Sequence, residues 1–269
     1  MFLKNLIVFL FINTFLLSHV TATKTLTIEG TGDSQELLQE LAKLYEKKYP
    51  NTSIIVPNSV GSSGGIKKVT ANACELARVA RPLKKQEKEK GLKNIIFAYS
   101  PIVFVINGKI TNNVLSEKDI IGIFDGTLTH WEQLPNIGLI GKIYIVHREQ
   151  GDSSRTILEE NIPSFKDIQK SVGATAFYNQ EAISMLTKYR NTIGYLAMGN
   201  VKNTNLQIVQ YNGILPTLEN IKMNKYNLVT PLGLVYKGKL NEIAKHFIEF
   251  LKSDEAKQIM HDYEIIPNL

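Results

Sequence analysis

Three short stretches of this sequence gather glycine, serine and aspartate where a β-like run gives way to a helix-like one. They are "EGTGDS" (29–34), "SVGSSGG" (59–65) and "EQGDSS" (149–154). A helix leaves its first N–H groups without intrahelical partners, and its aligned dipoles place roughly half a positive charge at that end. Glycine lets a ligand approach the backbone, and serine adds a short hydroxyl donor. Each turn is therefore a candidate anion cradle, with its serines as hydroxyl donors. The same residue types also make plain helix caps, and "DSQE" has the spacing of a capping box from Asp33 to Glu36. Three such turns in one chain argue for more than capping, because α/β sheets bind ligands beyond the carboxyl ends of their strands.

Arginines stand beside these turns. Arg148 and Arg155 flank the third, and "ARVARPL" supplies Arg78 and Arg81 after another strand-like segment. A planar guanidinium can donate two parallel hydrogen bonds to an oxyanion.

Other chemistries fit less well. "GDSSR" departs from the Gly-x-Ser-x-Gly elbow of serine hydrolases. His147 alternates with Arg148 along a strand and would face the other way, while His130, His246 and His261 lie in unrelated contexts. "GSSGG" lacks the Gly-Lys-Ser/Thr ending of a nucleotide P-loop, and no His/Cys/Asp cluster has metal-ligand spacing. No cofactor or metal is expected. A modest positive charge without an interleaved basic–aromatic stripe argues against nucleic acid.

The elements that must hold these turns follow an α/β pattern. "KTLTIEG" alternates and stops at Gly30, after which Leu37, Leu38, Leu41, Leu44 and Tyr45 share a helical face. "TSIIVPNSVG" reads as a strand and "GGIKKVTANA" as a helix. The β-branched run 94–107 is too long for one ordinary strand, and with 226–237 it reads as a pair of crossings between two lobes. "LNEIAKHFIEFLKSDEAKQIM" is expected to form the closing helix. The predicted organisation is a first lobe over 23–104, a second over 105–229, and a return to the first over 230–269.

Residues 1–22 read as an export signal. Lys4 precedes the apolar run Leu6–Leu17, and small residues suit cleavage near Ala22. That run is shorter than the roughly 20 residues a spanning helix needs. No cysteine stands there to accept a lipid, so a soluble periplasmic protein is expected. The other 247 residues carry 30 basic and 25 acidic side chains, since Lys4 is the only charge in the first 22. Such a balance suits an anionic ligand. Cys74, the sole cysteine, has no internal disulfide partner and is expected to be buried.

The sequence resembles the phosphate-binding proteins of bacterial ABC importers, within the type II periplasmic-binding-protein superfamily. The resemblance runs through "TLTIEGTGDS", "VGSSGGIKKV", "ELARVARPL", "DIIGIFDGTLTHWEQL", "HREQGDSSRTILEE", "TIGYLAMGNV" and "FIEFLKSDEAKQIM". It implies a two-lobed α/β fold with an interlobe cleft, no enzymatic activity, and delivery of inorganic phosphate or a related oxyanion to a membrane permease by a monomer. A sensor or adhesion protein on the same fold is one alternative, and a secreted phosphoesterase another. The resemblance also implies a site built from Ser34, Ser62, Arg148, Asp152, Ser153 and Ser154, with Arg78 adding charge. Two positions depart from the family's pattern. Ala80 stands where many members have Asp or Ser before the "RPL" corner, and the third turn reads Gly-Asp-Ser-Ser instead of Gly-Ser-Gly-Thr. An ionised carboxylate only accepts hydrogen bonds and so favours a protonated oxyanion. Asp152 is therefore the expected acceptor in place of residue 80, with helix capping as its other reading. Trp131 is expected to pack the second lobe.

Overall fold

The computed structural model describes residues 23–168 and 172–269. The export-signal reading of residues 1–22 lies outside them. In the first lobe β1 (Lys24–Gly30), β2 (Thr52–Ile55) and β3 (Leu76–Val79) run parallel, linked by α1 (Gln35–Lys48) and α2 (Gly61–Thr70). Leu37, Leu38, Leu41 and Tyr45 form one buried stripe on α1, the apolar face that drives this helix onto the sheet. A short α3 (Lys85–Glu89) leads into β4 (Leu92–Asn107), a single strand of 16 residues.

The second lobe contains β5 (Val114–Leu115), α4 (Glu117–Phe124), β6 (Tyr144–Arg148), α5 (Ser153–Asn161), α6 (Pro163–Lys166) and β7 (Ala174–Ala176). It continues through α7 (Asn179–Lys188), β8 (Thr192–Ala197), β9 (Gln207–Ile208), β10 (Gln210–Tyr211) and α8 (Leu218–Lys222). β11 (Val229–Lys237), α9 (Glu242–Phe250), α10 (Asp254–Asp262) and β12 (Ile266–Pro267) complete the chain.

The main sheet runs β2-β1-β3-β11-β4-β8-β6-β7, with β9 and β12 also on β4. Leu92–Pro101 of β4 pairs with β11, and Ile102–Asn107 pairs with β8. The run 94–107 is thus one continuous strand serving both lobes. Leu232 and Leu234 of β11 pack with Leu26, Ile28, Phe247 and Met260 in the first core, whereas Leu228 just before it packs with Phe104, Phe124 and Tyr195 in the second. Trp131 is fully buried in that second core and donates from Nε1 to Asn191 O at 3.1 Å. Cys74 is buried, and its thiol is pushed up to about 11 by that burial.

The closing helix differs from its sequence reading, because it is two helices. Ser253 Oγ accepts from Ala256 N at 3.3 Å, so a serine cap starts α10 where periodicity alone continues α9. Among the described residues no helix is long and apolar enough to cross a membrane.

One packing contact governs the cleft directly. A Cβ on Gly65 would stand 2.7 Å from Gly30 Cα, so α2 lies against the end of β1 only because residue 65 has no side chain. Gly65→Val should lower stability by about 1–3 kcal/mol through overpacking. Urea unfolding should show a lower midpoint at unchanged slope; an unchanged midpoint would contradict this packing.

Candidate functional site

The strand ends converge on the space between the lobes. Residues 31–34 follow β1, 56–60 follow β2, and 149–152 follow β6. Thr31 N donates to Arg78 O and Val60 N donates to Gly30 O, each at 3.0 Å, which ties the first two turns together. Across the cleft, the Ser62 and Ser153 hydroxyls share a hydrogen bond at 3.2 Å. At that spacing both can reach adjacent oxygens of one tetrahedral anion. Ser62 Oγ also accepts from Ala80 N at 3.1 Å. Ala80 therefore contributes its backbone to the site even though its side chain offers no acceptor. Ser34 and Ser154 are buried at the starts of α1 and α5, and their hydroxyl oxygens have no protein partner. Such orphaned buried hydroxyls are costly unless something else satisfies them.

Arg148 is the buried cation of the second lobe. Its Nε donates to Ala176 O at 3.1 Å, its Nη1 to Asn179 Oδ1 at 3.0 Å, and its Nη2 pairs with Asp152 Oδ2 at 2.9 Å. Tyr195 Oη accepts from Arg148 N at 3.0 Å. These contacts hold the guanidinium in one orientation at the end of β6.

Arg78 is not brought into this cluster. It is fully buried inside the first lobe, and its N–H groups go to Thr31 O at 2.6 Å, Pro57 O at 2.6 Å, Ile28 O and Gln35 Oε1. Burial lowers its pKa to about 10, so it stays charged at neutral pH. It acts as an internal tie that shapes the first and second turns. Arg81 pairs with Glu87, and Arg155 with Glu159.

Asp152 takes the capping role that was its other sequence reading, and Asp33 does not take the capping role expected of it. Asp152 caps α5: its Oδ1 accepts from Ser154 N at 3.0 Å and Arg155 N at 3.1 Å, while Oδ2 holds Arg148. The helix-start amides of the third turn are thus taken by the chain's own carboxylate. Asp33 makes no capping box, since Ser34 occupies the N-cap of α1 and makes no side-chain cap bond. Instead Asp33 is buried in the cleft, and Asn179 Nδ2 donates to its Oδ1 at 2.7 Å. Its Oδ2 has no partner. Burial, reinforced by the Asp152 carboxylate, pushes the Asp33 carboxyl up to about 6 against the opposing pull of the Asn179 hydrogen bond, the Arg148 charge and the neighbouring Thr31 hydroxyl.

Sequence reading missed Asn179. It opens α7 at a fourth strand-to-helix junction, after β7, and links Arg148 in its own lobe to Asp33 in the other. The local string "TAFYNQEA" lacks the Gly/Ser signature of the other three turns. A weaker clue was Gly32, whose missing Cβ makes room: one built there would sit 2.7 Å from Asn179 Cγ. Gln180 Nε2 to Gln35 Oε1, at 3.1 Å, adds another bond across the cleft.

Two α/β lobes that share long strands, with polar helix starts meeting between them, define the architecture of periplasmic binding proteins. The chain belongs to the PBP superfamily, whose domain model matches residues 18–255. It is 27% identical over 249 residues to the phosphate-binding protein PstS of Borreliella burgdorferi, covering 89% of this chain and 88% of that protein. The Staphylococcus aureus (strain USA300) phosphate-binding protein PstS is 24% identical, covering 85% and 75%. Among solved structures, a phosphate-bound ABC transporter substrate-binding protein from Clostridium perfringens superposes with a TM-score of 0.80 at 26% identity, covering 91% of this chain and 100% of that one. An ABC-type phosphate transport receptor from Vibrio cholerae shares the fold, with a TM-score of 0.65 at 24% identity, covering 90% and 100%.

The position of Asp33 has a consequence for stability. Its carboxyl is raised from 3.8 to about 6, so the folded chain holds this proton more tightly than the unfolded chain. For this group, stability is greatest at low pH and falls as pH rises from about 4 through about 6. Asp33→Asn keeps an acceptor for Asn179 without the buried charge. Thermal unfolding of the ligand-free protein should show this variant more stable at pH 7.5, by up to about 3 kcal/mol, with the advantage vanishing near pH 4. A variant less stable at pH 7.5 would contradict this account of Asp33.

Proposed function

We propose that this chain is an exported solute-binding protein that captures inorganic phosphate, or a related tetrahedral oxyanion, and delivers it to an ABC permease. The observation that carries the reading is a set of buried serine hydroxyls from both lobes, two of them without protein partners, beside the buried Arg148. The phosphate-binding names of its relatives and the bound phosphate of the Clostridium perfringens protein support the same ligand class.

In this reading Ser62 and Ser153 donate to neighbouring oxygens of the anion from opposite sides of the cleft. Ser34 and Ser154 supply the remaining hydroxyls. Arg148 provides the charge, Asp152 fixes its guanidinium and the start of α5, and Arg78 holds the turns on which Ser34 and Ser62 stand. The lobe formed by 23–104 and 230–269 closes on the lobe formed by 105–229. Closure removes water from the anion, and the lower local dielectric strengthens each bond to it. Because both lobes contact the ligand, it binds the closed form better than the open one, and this difference drives closure. The closed monomer would then dock on the permease. No bond in the ligand is made or broken.

Isothermal titration calorimetry of the protein without its first 22 residues tests this. Phosphate should give saturable binding at one site. Ser153→Ala should weaken it by about tenfold, and Arg148→Met by about a hundredfold, the range for lost hydrogen bonds to a charged group. Absence of saturable phosphate binding by the wild-type chain would overturn the proposal.

A further inference from the structure

Ala80 removes the side-chain acceptor from the corner after β3, and Asp152 does not replace it, because each of its oxygens already has a partner. A site that holds protonated oxyanions and rejects unprotonated ones needs an acceptor directed at the ligand's own hydroxyl. Among the described residues two carboxylate oxygens are buried without a partner, Glu29 Oε2 and Asp33 Oδ2. The Glu29 carboxylate is paired with Lys68 inside the first lobe, whereas Asp33 stands at the cleft beside Asn179 of the other lobe. Asp33 is only 2% exposed. Its other oxygen is fixed by Asn179, which is itself fixed by Arg148, so the carboxylate cannot rotate freely away from the cleft. The adjacent Ser34 hydroxyl is also without a partner.

We propose that Asp33, through Oδ2, is the residue that accepts a hydrogen bond from the hydroxyl of the bound oxyanion and so excludes anions that carry no proton. The inference rests on the oxyanion reading above. It moves the discriminating carboxylate from the corner after β3 to the first turn. The charged groups facing Asp33 are Asp152 and Arg148, both from the second lobe. Their opposite signs leave the Asp33 carboxyl itself as the group whose protonation changes the character of the site. When protonated, it becomes a donor and can serve sulfate.

Competition calorimetry with phosphate and sulfate, on the wild type, Asp33→Asn and Asp152→Asn, tests the inference. At pH 7.5 the wild type should bind phosphate and discriminate against sulfate. Asp33→Asn should cut the phosphate-to-sulfate affinity ratio by about tenfold or more, with sulfate binding gained, since its amide can donate. Asp152→Asn should weaken both anions alike, because it loosens the α5 cap and Arg148. Should Asp33→Asn fail to fold, the wild type carries the test through pH. Its sulfate affinity should rise between pH 7.5 and pH 5, as Asp33 takes up its proton. Wild-type protein that binds neither anion would overturn the oxyanion reading itself. Phosphate binding with an unchanged ratio in Asp33→Asn, or a sulfate affinity independent of pH, would overturn only the role of Asp33.

Discussion

The cleft is organised by a chain of buried polar contacts that begins at Arg148 and ends at Asp33. Arg148 donates to Asn179 Oδ1, and Asn179 donates in turn to Asp33 Oδ1, so a cation in one lobe is connected to a carboxylate in the other through one amide. A buried charge is tolerated only when it is paired and hydrogen-bonded. Asp152 supplies the pair for Arg148, and the carbonyl of Ala176 takes a further N–H. Much of the surrounding architecture serves this chain. β6 ends at Arg148, α7 begins at Asn179, and Gly32 lets the Asn179 side chain pass close to the first turn.

The two lobes can meet around this chain because their strands are shared. β4 belongs to the first lobe over its first ten residues and to the second over its last six, and β11 runs beside the first part. Each lobe keeps its own core, so a change of angle between them need not disturb the packing of either. Arg78 illustrates the division of labour. Its guanidinium holds the end of β1 and the turns after β1 and β2 through carbonyl oxygens, while Arg148 is a buried cation at the cleft.

The α/β alternation, the shared strand at 94–107 and the Gly/Ser turns were legible in the sequence because each depends on local residue patterns. That Ser62 and Ser153 stand at helix starts was legible for the same reason. Hidden was everything decided by contacts between distant segments. Asp33 looks like a cap beside Ser34, and only the approach of Asn179, 146 residues away, gives it another role. Asp152 looked like a ligand acceptor, yet local geometry lets it satisfy Ser154 N and Arg155 N first. Arg78 followed a strand as Arg148 does, but its surroundings of backbone carbonyls decide its use. Spacing identifies which groups can reach a turn; competing partners decide which of them remain free.

A crystal structure of the protein grown with phosphate tests the central claim most directly. The account predicts tetrahedral density between the lobes, in contact with the Ser62 and Ser153 hydroxyls, with one oxygen within hydrogen-bond reach of Asp33 Oδ2. Phosphate bound away from this cleft, or bound there with Asp33 turned aside, would contradict it.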